Sequence, residues 1–314
     1  MGASVPLVPS NALLRSGSLM GVDPAAPPVV AVVVACQPGR WFEQTLQSLA
    51  GQDYPRLSVL VASVGEDGST AERVAAVLPD AHLASFDQGT GFAQAANGAL
   101  GMVDGVAHVL LCHDDVVLAP DAVRLLLEEA YRSNAGLVCP KCVFWDAADR
   151  LLSVGMGADR LGAAYQLVEP GELDQGQHDA ARPVFLAPSC AVLVRLDLWR
   201  ALGGFEPGIG EPGEDLEMSW RAQLAGARVV VAPQAVARHL EATLNGLRQG
   251  TATDASQAGR LRARREQHRL RTLWTCYSAP SLVLVAPIAV AFLLARSAWA
   301  LMCRRGPGAA AWPV

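Results

Sequence analysis

Val29-Val30-Ala31-Val32-Val33-Val34-Ala35-Cys36 is an unbroken apolar run of eight residues, five of them valine. A strand with one wet face would alternate apolar and polar side chains. An unbroken run of this length instead fits a strand buried on both faces, as in a parallel sheet. Working outward, residues 41–50 carry Phe42, Leu46 and Leu49 at helical spacing, and Leu57–Val64 is a second apolar run. Further helices are predicted over 72–78, 92–102 and 120–132, with strands over 81–86 and 108–112. Strands alternating with helices predict an α/β domain with a largely parallel sheet. Ligands in such sheets sit at the carboxyl ends of the strands, so the loops after Cys36, Val64 and Cys112 carry most interest.

Composition narrows the function. The chain has 314 residues, of which 51% are hydrophobic and 18% charged, which excludes a disordered protein. Net charge is -12 over residues 1–250 and +7 over 251–314. An acidic body argues against nucleic acid as a partner, and the basic tail suggests an anionic surface such as membrane lipid. Residues 1–27 read as a flexible leader without the basic-then-apolar pattern of a secretory signal. The seven cysteines therefore read as reduced thiols. Cys139-Pro140-Lys141-Cys142 lacks the second pair that a zinc site needs, so buried strand cysteines are expected there.

Beyond residue 155 the pattern loosens. Residues 155–183 are rich in Gly, Asp and Gln and read as a long connection. An apolar stretch follows over 184–196, a helix is predicted over 216–225, and a short strand over 228–232. Residues 251–271 form a basic juxtamembrane segment in this reading. The 24 residues 272–295 carry no charge, and a transmembrane helix with a short tail is expected over 272–314. The larger arginine cluster precedes that run, which predicts a main domain on the cytoplasmic side of the cell membrane.

Three clusters could carry chemistry. His113-Asp114-Asp115 follows a buried strand, and adjacent carboxylates there call for a positive partner such as Mg2+ or Mn2+. Gly213-Glu214-Asp215 opens the helix that continues to Trp220 and Arg221. Its acids read either as a cap stabilised by the helix dipole or as a general base with acceptor contacts. His239 is a lone histidine after the short strand. Gly89-Thr90-Gly91 lacks the third glycine of a dinucleotide fingerprint and reads as a helix-opening turn, which disfavours an oxidoreductase.

In order and spacing, these pieces resemble a family 2 glycosyltransferase of the GT-A fold, a Rossmann-like, mostly parallel sheet flanked by helices. The likeness rests on residues 30–36, Ser48 to Pro55, Gly91-Phe92 through Asn97-Gly98, and His113-Asp114-Asp115. It continues through Leu202-Gly203-Gly204-Phe205, Gly213-Glu214-Asp215, Ser219-Trp220-Arg221, and Val231-Ala232-Pro233 to His239. It implies a catalytic domain over 28–250 that moves a sugar, with inversion, from a nucleotide-sugar donor to a glycan or lipid-linked acceptor. Asp215 would be the base, with Glu214, Trp220 and Arg221 on the acceptor side. Ala35, Gln37, Ser63, Asp67, Gly91, Phe92, Asn97 and Asp114 would meet the donor. Asp115, His239 and His113 would hold Mn2+ or Mg2+. Two positions depart from the family pattern: His113 stands at the first acid of Asp-x-Asp, and Ser63 where an aspartate usually contacts the nucleotide. These departures motivate the alternative of a catalytically silent sugar- or nucleotide-binding domain. No Gln-x-x-Arg-Trp occurs, so a non-processive enzyme is expected.

Overall fold

The structure, a computed structural model, describes residues 26–65, 68–169, 171–248 and 255–304. The chain runs β1 (Val29–Cys36), α1 (Phe42–Ala50), β2 (Leu57–Val64), α2 (Gly68–Val77), β3 (His82–Phe86), α3 (Phe92–Gly101) and β4 (His108–His113). Then come β5 (Val116–Leu118), α4 (Ala122–Ser133), β6 (Ala135–Phe144), β7 (Leu151–Ser153), β8 (Met156–Ala158), β9 (Ala164–Gln166) and β10 (Arg182–Pro183). The last part is β11 (Ala191–Arg195), α5 (Leu196–Leu202), α6 (Glu214–Leu224), β12 (Arg228–His239), α7 (Ala255–Cys276) and α8 (Ala279–Arg304).

The main sheet has the order β10-β12-β6-β11-β4-β1-β2-β3. Strands β3, β2, β1 and β4 are parallel, as the apolar runs predict. Strand β11 runs antiparallel to both β4 and β6, while β12 is parallel to β6. The double burial of β1 is visible in its alternation. Val30, Val32 and Val34 enter one core with α3 and α5; Val29, Ala31, Val33 and Ala35 enter the other with α1 and α4.

Strand β6 contains the stretch where buried strand cysteines are expected, although Pro140 and Lys141 interrupt its apolar run. The structure tolerates the proline where the ladder to β12 shifts register, between Ala232 and Val236. Cys139 and Cys142 are buried in this strand. The same irregularity lets β12 continue past the predicted 228–232 to His239.

The 251–271 segment contributes to α7, which lies against the body. His268 Nδ1 meets the Pro212 carbonyl at 2.8 Å, and Arg271 pairs with Glu206 at 2.9 Å. Arg269 donates to the Leu161 carbonyl at 2.5 Å. The transmembrane expectation is not supported. Among the described residues no helix is long and apolar enough to cross a membrane. The uncharged run is divided: Thr272 to Cys276 complete α7, and only the seventeen residues from Ala279 to Ala295 lie uncharged in α8. They span roughly 26 Å at a rise of about 1.5 Å per residue, short of a core about 30 Å thick. Most of the leader, 1–25, lies outside the described residues.

Candidate active site

Strand β4 ends at the centre of the sheet and delivers His113, Asp114 and Asp115 to one edge. Asp114 is fully buried. Its Oδ2 accepts the Cys36 amide at 3.0 Å, and Arg248 grips both carboxylate oxygens at 2.9 and 2.6 Å. The Asp114 carbonyl accepts the Thr45 hydroxyl at 2.8 Å, tying α1 to this turn.

Asp115 points the other way. Its Oδ2 accepts the Ala242 amide at 2.8 Å. Its Oδ1 lies 3.4 Å from His239 Nε2 and 3.8 Å from His113 Nδ1. Offered ligand atoms of His113, Asp115 and His239 all fall within 4.8 Å of one another. Burial alone would raise the Asp115 carboxyl, but His239, His113 and Arg248 outweigh it and hold it below the usual carboxylate range. Burial pushes His113 down to about 3, so its imidazole is neutral at physiological pH and available as a ligand. The edge of Phe92 packs on its ring at 4.6 Å between centroids.

The donor set fits a divalent cation on independent grounds. His113 Nε2 and Asp115 Oδ1 are buried without a hydrogen-bond partner. Such atoms are costly unless something satisfies them, and two imidazoles with a carboxylate suit a transition ion such as Mn2+.

A second acidic cluster opens α6. Gly213 precedes it at φ +130, and a Cβ there would meet His268 at 3.1 Å. Glu214 is buried; its Oε1 accepts the Ser189 hydroxyl at 2.7 Å, and its Oε2 has no hydrogen-bond partner. Burial, reinforced by the Asp215 charge, pushes Glu214 up to about 8. Asp215 is half-buried and accepts the Leu216 amide at 2.8 Å. Burial raises it as well, against backbone hydrogen bonds and the charge of Arg265. Glu211 lies electrostatically between the two clusters: burial raises its carboxyl, Arg248 opposes this, and Asp115 and Asp215 add to it.

The raised Glu214 sets a pH dependence. The folded chain keeps this proton to about pH 8, while an ordinary glutamate loses it near 4.5. The group's stability contribution is full below the lower value and fades as pH rises through the higher one. Glu214→Gln keeps an acceptor for Ser189 and cannot ionise. The melting temperature of the variant, relative to the native chain, is expected to climb from pH 5 to pH 8. A constant difference across that window would refute the assignment.

Other residues singled out in the sequence take different places. Gln37 lines a cleft of about 1120 Å³ beside β1. Ala35 and Ser63 are buried within the sheet. Asn97 spends its amide on Phe205, donating to the carbonyl at 2.8 Å and accepting the amide at 2.8 Å. It therefore anchors the 202–205 loop. Gly91 is the N-cap position of α3, as a helix-opening turn requires. Trp220, read as an acceptor contact, is buried against Phe185 and Tyr277. Arg221, also read that way, pairs with Glu217 and donates to the Leu202 and Gly204 carbonyls at 2.7 Å. Its role in the structure is to hold the loop before α6. Asp67 lies outside the described residues. Sequence reading missed Arg248, Ser189, Thr45 and Glu211. None belongs to a motif; only the fold brings them to the cleft.

A family model described as "Glycosyltransferase like family 2" matches residues 27–265. The O-antigen biosynthesis protein RfbC of Myxococcus xanthus is 25% identical over 201 residues, which are 62% of this chain and 16% of that protein. The chain thus spans a small part of the length of this relative. Among solved structures, GalNAc-T7 with UDP, GalNAc and Mn2+ superposes with a TM-score of 0.54 at 13% identity, over 68% of this chain and 43% of the other. The mannosyltransferase PcManGT of Pyrobaculum calidifontis, in complex with GDP-Man and Mn2+, gives 0.50 at 18% identity, over 92% and 85%. At these identities the two structures establish a shared GT-A-like fold.

Proposed function

Since the chain belongs to glycosyltransferase family 2, we propose that it moves a sugar from a nucleotide-sugar onto a glycan or lipid-linked acceptor of the cell envelope. Transfer is metal-dependent, inverting and one sugar at a time. The observation that carries this reading is the His113, Asp115 and His239 triad, with two buried polar atoms unsatisfied.

These three side chains would hold Mn2+ or Mg2+, Mn2+ being the better match to two imidazoles. When bound, the cation offsets charge building on the departing nucleoside diphosphate. The cleft beside β1, with Gln37 and Trp41 in its wall, offers room for the nucleoside. Asp215 takes the proton from the acceptor hydroxyl as that oxygen attacks the anomeric carbon. Gly213, Asn97 and Arg221 fix the loop and helix that aim this carboxylate. A single displacement through an oxocarbenium-like transition state inverts the anomeric centre. Proton NMR of the first product formed from an α-linked donor is therefore expected to show a β linkage. An α product would contradict the mechanism.

The reading extends to location: the enzyme works at the cytoplasmic face of the cell membrane, lying on it rather than crossing it. Support comes from the net charge of +7 over 251–314 and from exposed Trp274, Val283, Leu284, Ile288 and Leu294. Each arginine near an anionic surface contributes about 1 kcal/mol. The full chain is expected to sediment with phosphatidylglycerol vesicles, less so in high salt, and less again without residues 272–314. Failure to sediment at low salt would remove the membrane from the account.

A further inference from the structure

Residues 203–213, between α5 and α6, lead into the helix whose second residue is Asp215. Five of these eleven residues are glycine and two are proline, so the stretch has few side chains with which to brace itself. Its first part is held from the body, by Asn97 on Phe205 and by Arg221 on the Leu202 and Gly204 carbonyls. Its last part is held from α7. Arg271 Nη2 donates to Glu206 Oε1 at 2.9 Å, and its guanidinium lies against Gly208. His268 Nδ1 meets the Pro212 carbonyl at 2.8 Å, and the His268 Cβ would be 3.1 Å from a Cβ on Gly213.

His268 and Arg271 are three residues apart and so share one face of α7. Arg265, a further three back on that face, interacts electrostatically with Asp215. Helix α7 is itself fixed against α6. Leu273 and Cys276 are buried in one cluster with Leu186, Leu216 and Trp220. The Tyr277 ring stands edge-on to Trp220, with centroids 4.9 Å apart. Arg269, 8% exposed, locks the rotation of α7 through Glu266 and the Leu161 carbonyl. Leu216 is the residue whose amide Asp215 accepts. Helix α7 therefore meets both the loop before Asp215 and the helix turn after it.

We propose that α7 completes the catalytic site, with His268 as a positioning residue whose bond to Pro212 sets where the Asp215 carboxylate stands. The inference rests on the reading of Asp215 as the base of a sugar transfer. A carbonyl only accepts, so His268 Nδ1 carries the proton in this bond. Pro212 is three residues before Asp215, and between them Gly213 takes φ +130, a conformation open to glycine and held by its neighbours. Loss of the bond frees that link. A base misplaced by about 1 Å can cost about 100-fold in rate. Among the described residues, none from 203–213 or α7 lines the cleft beside β1 that takes the nucleoside. The effect of losing the bond therefore falls on turnover and leaves donor binding in place.

The test uses the full chain with Mn2+ and whichever of the UDP-, GDP-, CDP- and dTDP-sugars it turns over, with diphosphate release and donor affinity measured on the same preparations. His268→Ala is expected to lower kcat about 10- to 100-fold, with donor affinity changed by no more than about twofold. The amide of asparagine reaches the position of Nδ1 and donates to the same carbonyl, so His268→Asn is expected to recover most of the lost kcat. Glutamine carries its amide one methylene further, and His268→Gln is expected to stay near the alanine level. If His268→Ala does not fold, the comparison of asparagine with glutamine decides. Equal kcat in those two variants, or a fall in donor affinity as large as the fall in kcat, would show general packing and overturn the proposal. A native chain that turns over none of these donors would bring down the transfer reading, and this inference with it.

Discussion

Replacing Asp215 by Asn lowers kcat by about 100-fold or more, while the affinity for donor stays near that of the native chain. Asparagine is close to isosteric and can still accept the Leu216 amide bond that Asp215 accepts at 2.8 Å. What it cannot do is take a proton. The half-buried setting keeps the carboxylate reachable, whereas its neighbour Glu214 is sealed against Ser189. Two adjacent acids repel, and the structure separates their tasks. Burial pushes Glu214 up to about 8, so it is mainly protonated at neutral pH; burial raises Asp215 as well, and backbone hydrogen bonds and the Arg265 charge oppose that. Glu214→Gln is accordingly expected to cost much less turnover. If Asp215 only capped α6, its replacement would lower the melting temperature and spare kcat. Turnover and melting measured on the same protein separate these outcomes.

Asp115→Ala abolishes the metal-dependent part of donor binding, with a loss of at least about 100-fold in Mn2+ affinity. Outer-shell partners of metal sites already carry 10- to 100-fold, and a direct ligand carries more. Among the described residues Asp115 is the one carboxylate that both histidines face, at 3.4 and 3.8 Å. Without it only the two imidazoles remain, and the cation loses its counter-charge. The 240–248 turn also loses an anchor, the Ala242 amide bond. Asp114→Ala acts differently. It removes a fully buried partner of Arg248, so its first effect is on stability, about 3 kcal/mol for breaking a buried pair. Calorimetry with Mn2+ reads the first effect, and thermal melting the second. Unchanged Mn2+ affinity in Asp115→Ala would remove it from the site.

Much of the fold was legible because buried parallel strands write unbroken apolar runs. The runs at Val29–Cys36 and Leu57–Val64 coincide with β1 and β2 to the residue. Local rules misled where tertiary structure overrides them. The irregularity between Ala232 and Val236 hid the last residues of β12, which deliver His239. The 24-residue uncharged run looked like a span because charge counting ignores where a helix breaks, here between Cys276 and Ala279. The site was legible in part for the same reason. His113, Asp114 and Asp115 sit at a strand end, where topology alone predicts ligands. Trp220, Arg221 and Asn97 belong to the same motifs, yet the structure uses them to hold loops. Their residue types allow both roles, and only the contacts distinguish them. Arg248 lies 134 residues from Asp114 in sequence, and no local pattern joins the two.

The central claim is chemical: this cleft turns over a nucleotide-sugar, using the triad and Asp215 together. The most direct measurement is nucleoside diphosphate release from a panel of UDP-, GDP-, CDP- and dTDP-sugars, with Mn2+ and with chelator. The account predicts release from at least one donor, lost with chelator and reduced about 100-fold or more in Asp215→Asn. Mn2+-dependent binding of a nucleotide-sugar without any release, even with envelope glycan supplied as acceptor, would contradict it and make the chain a binding module.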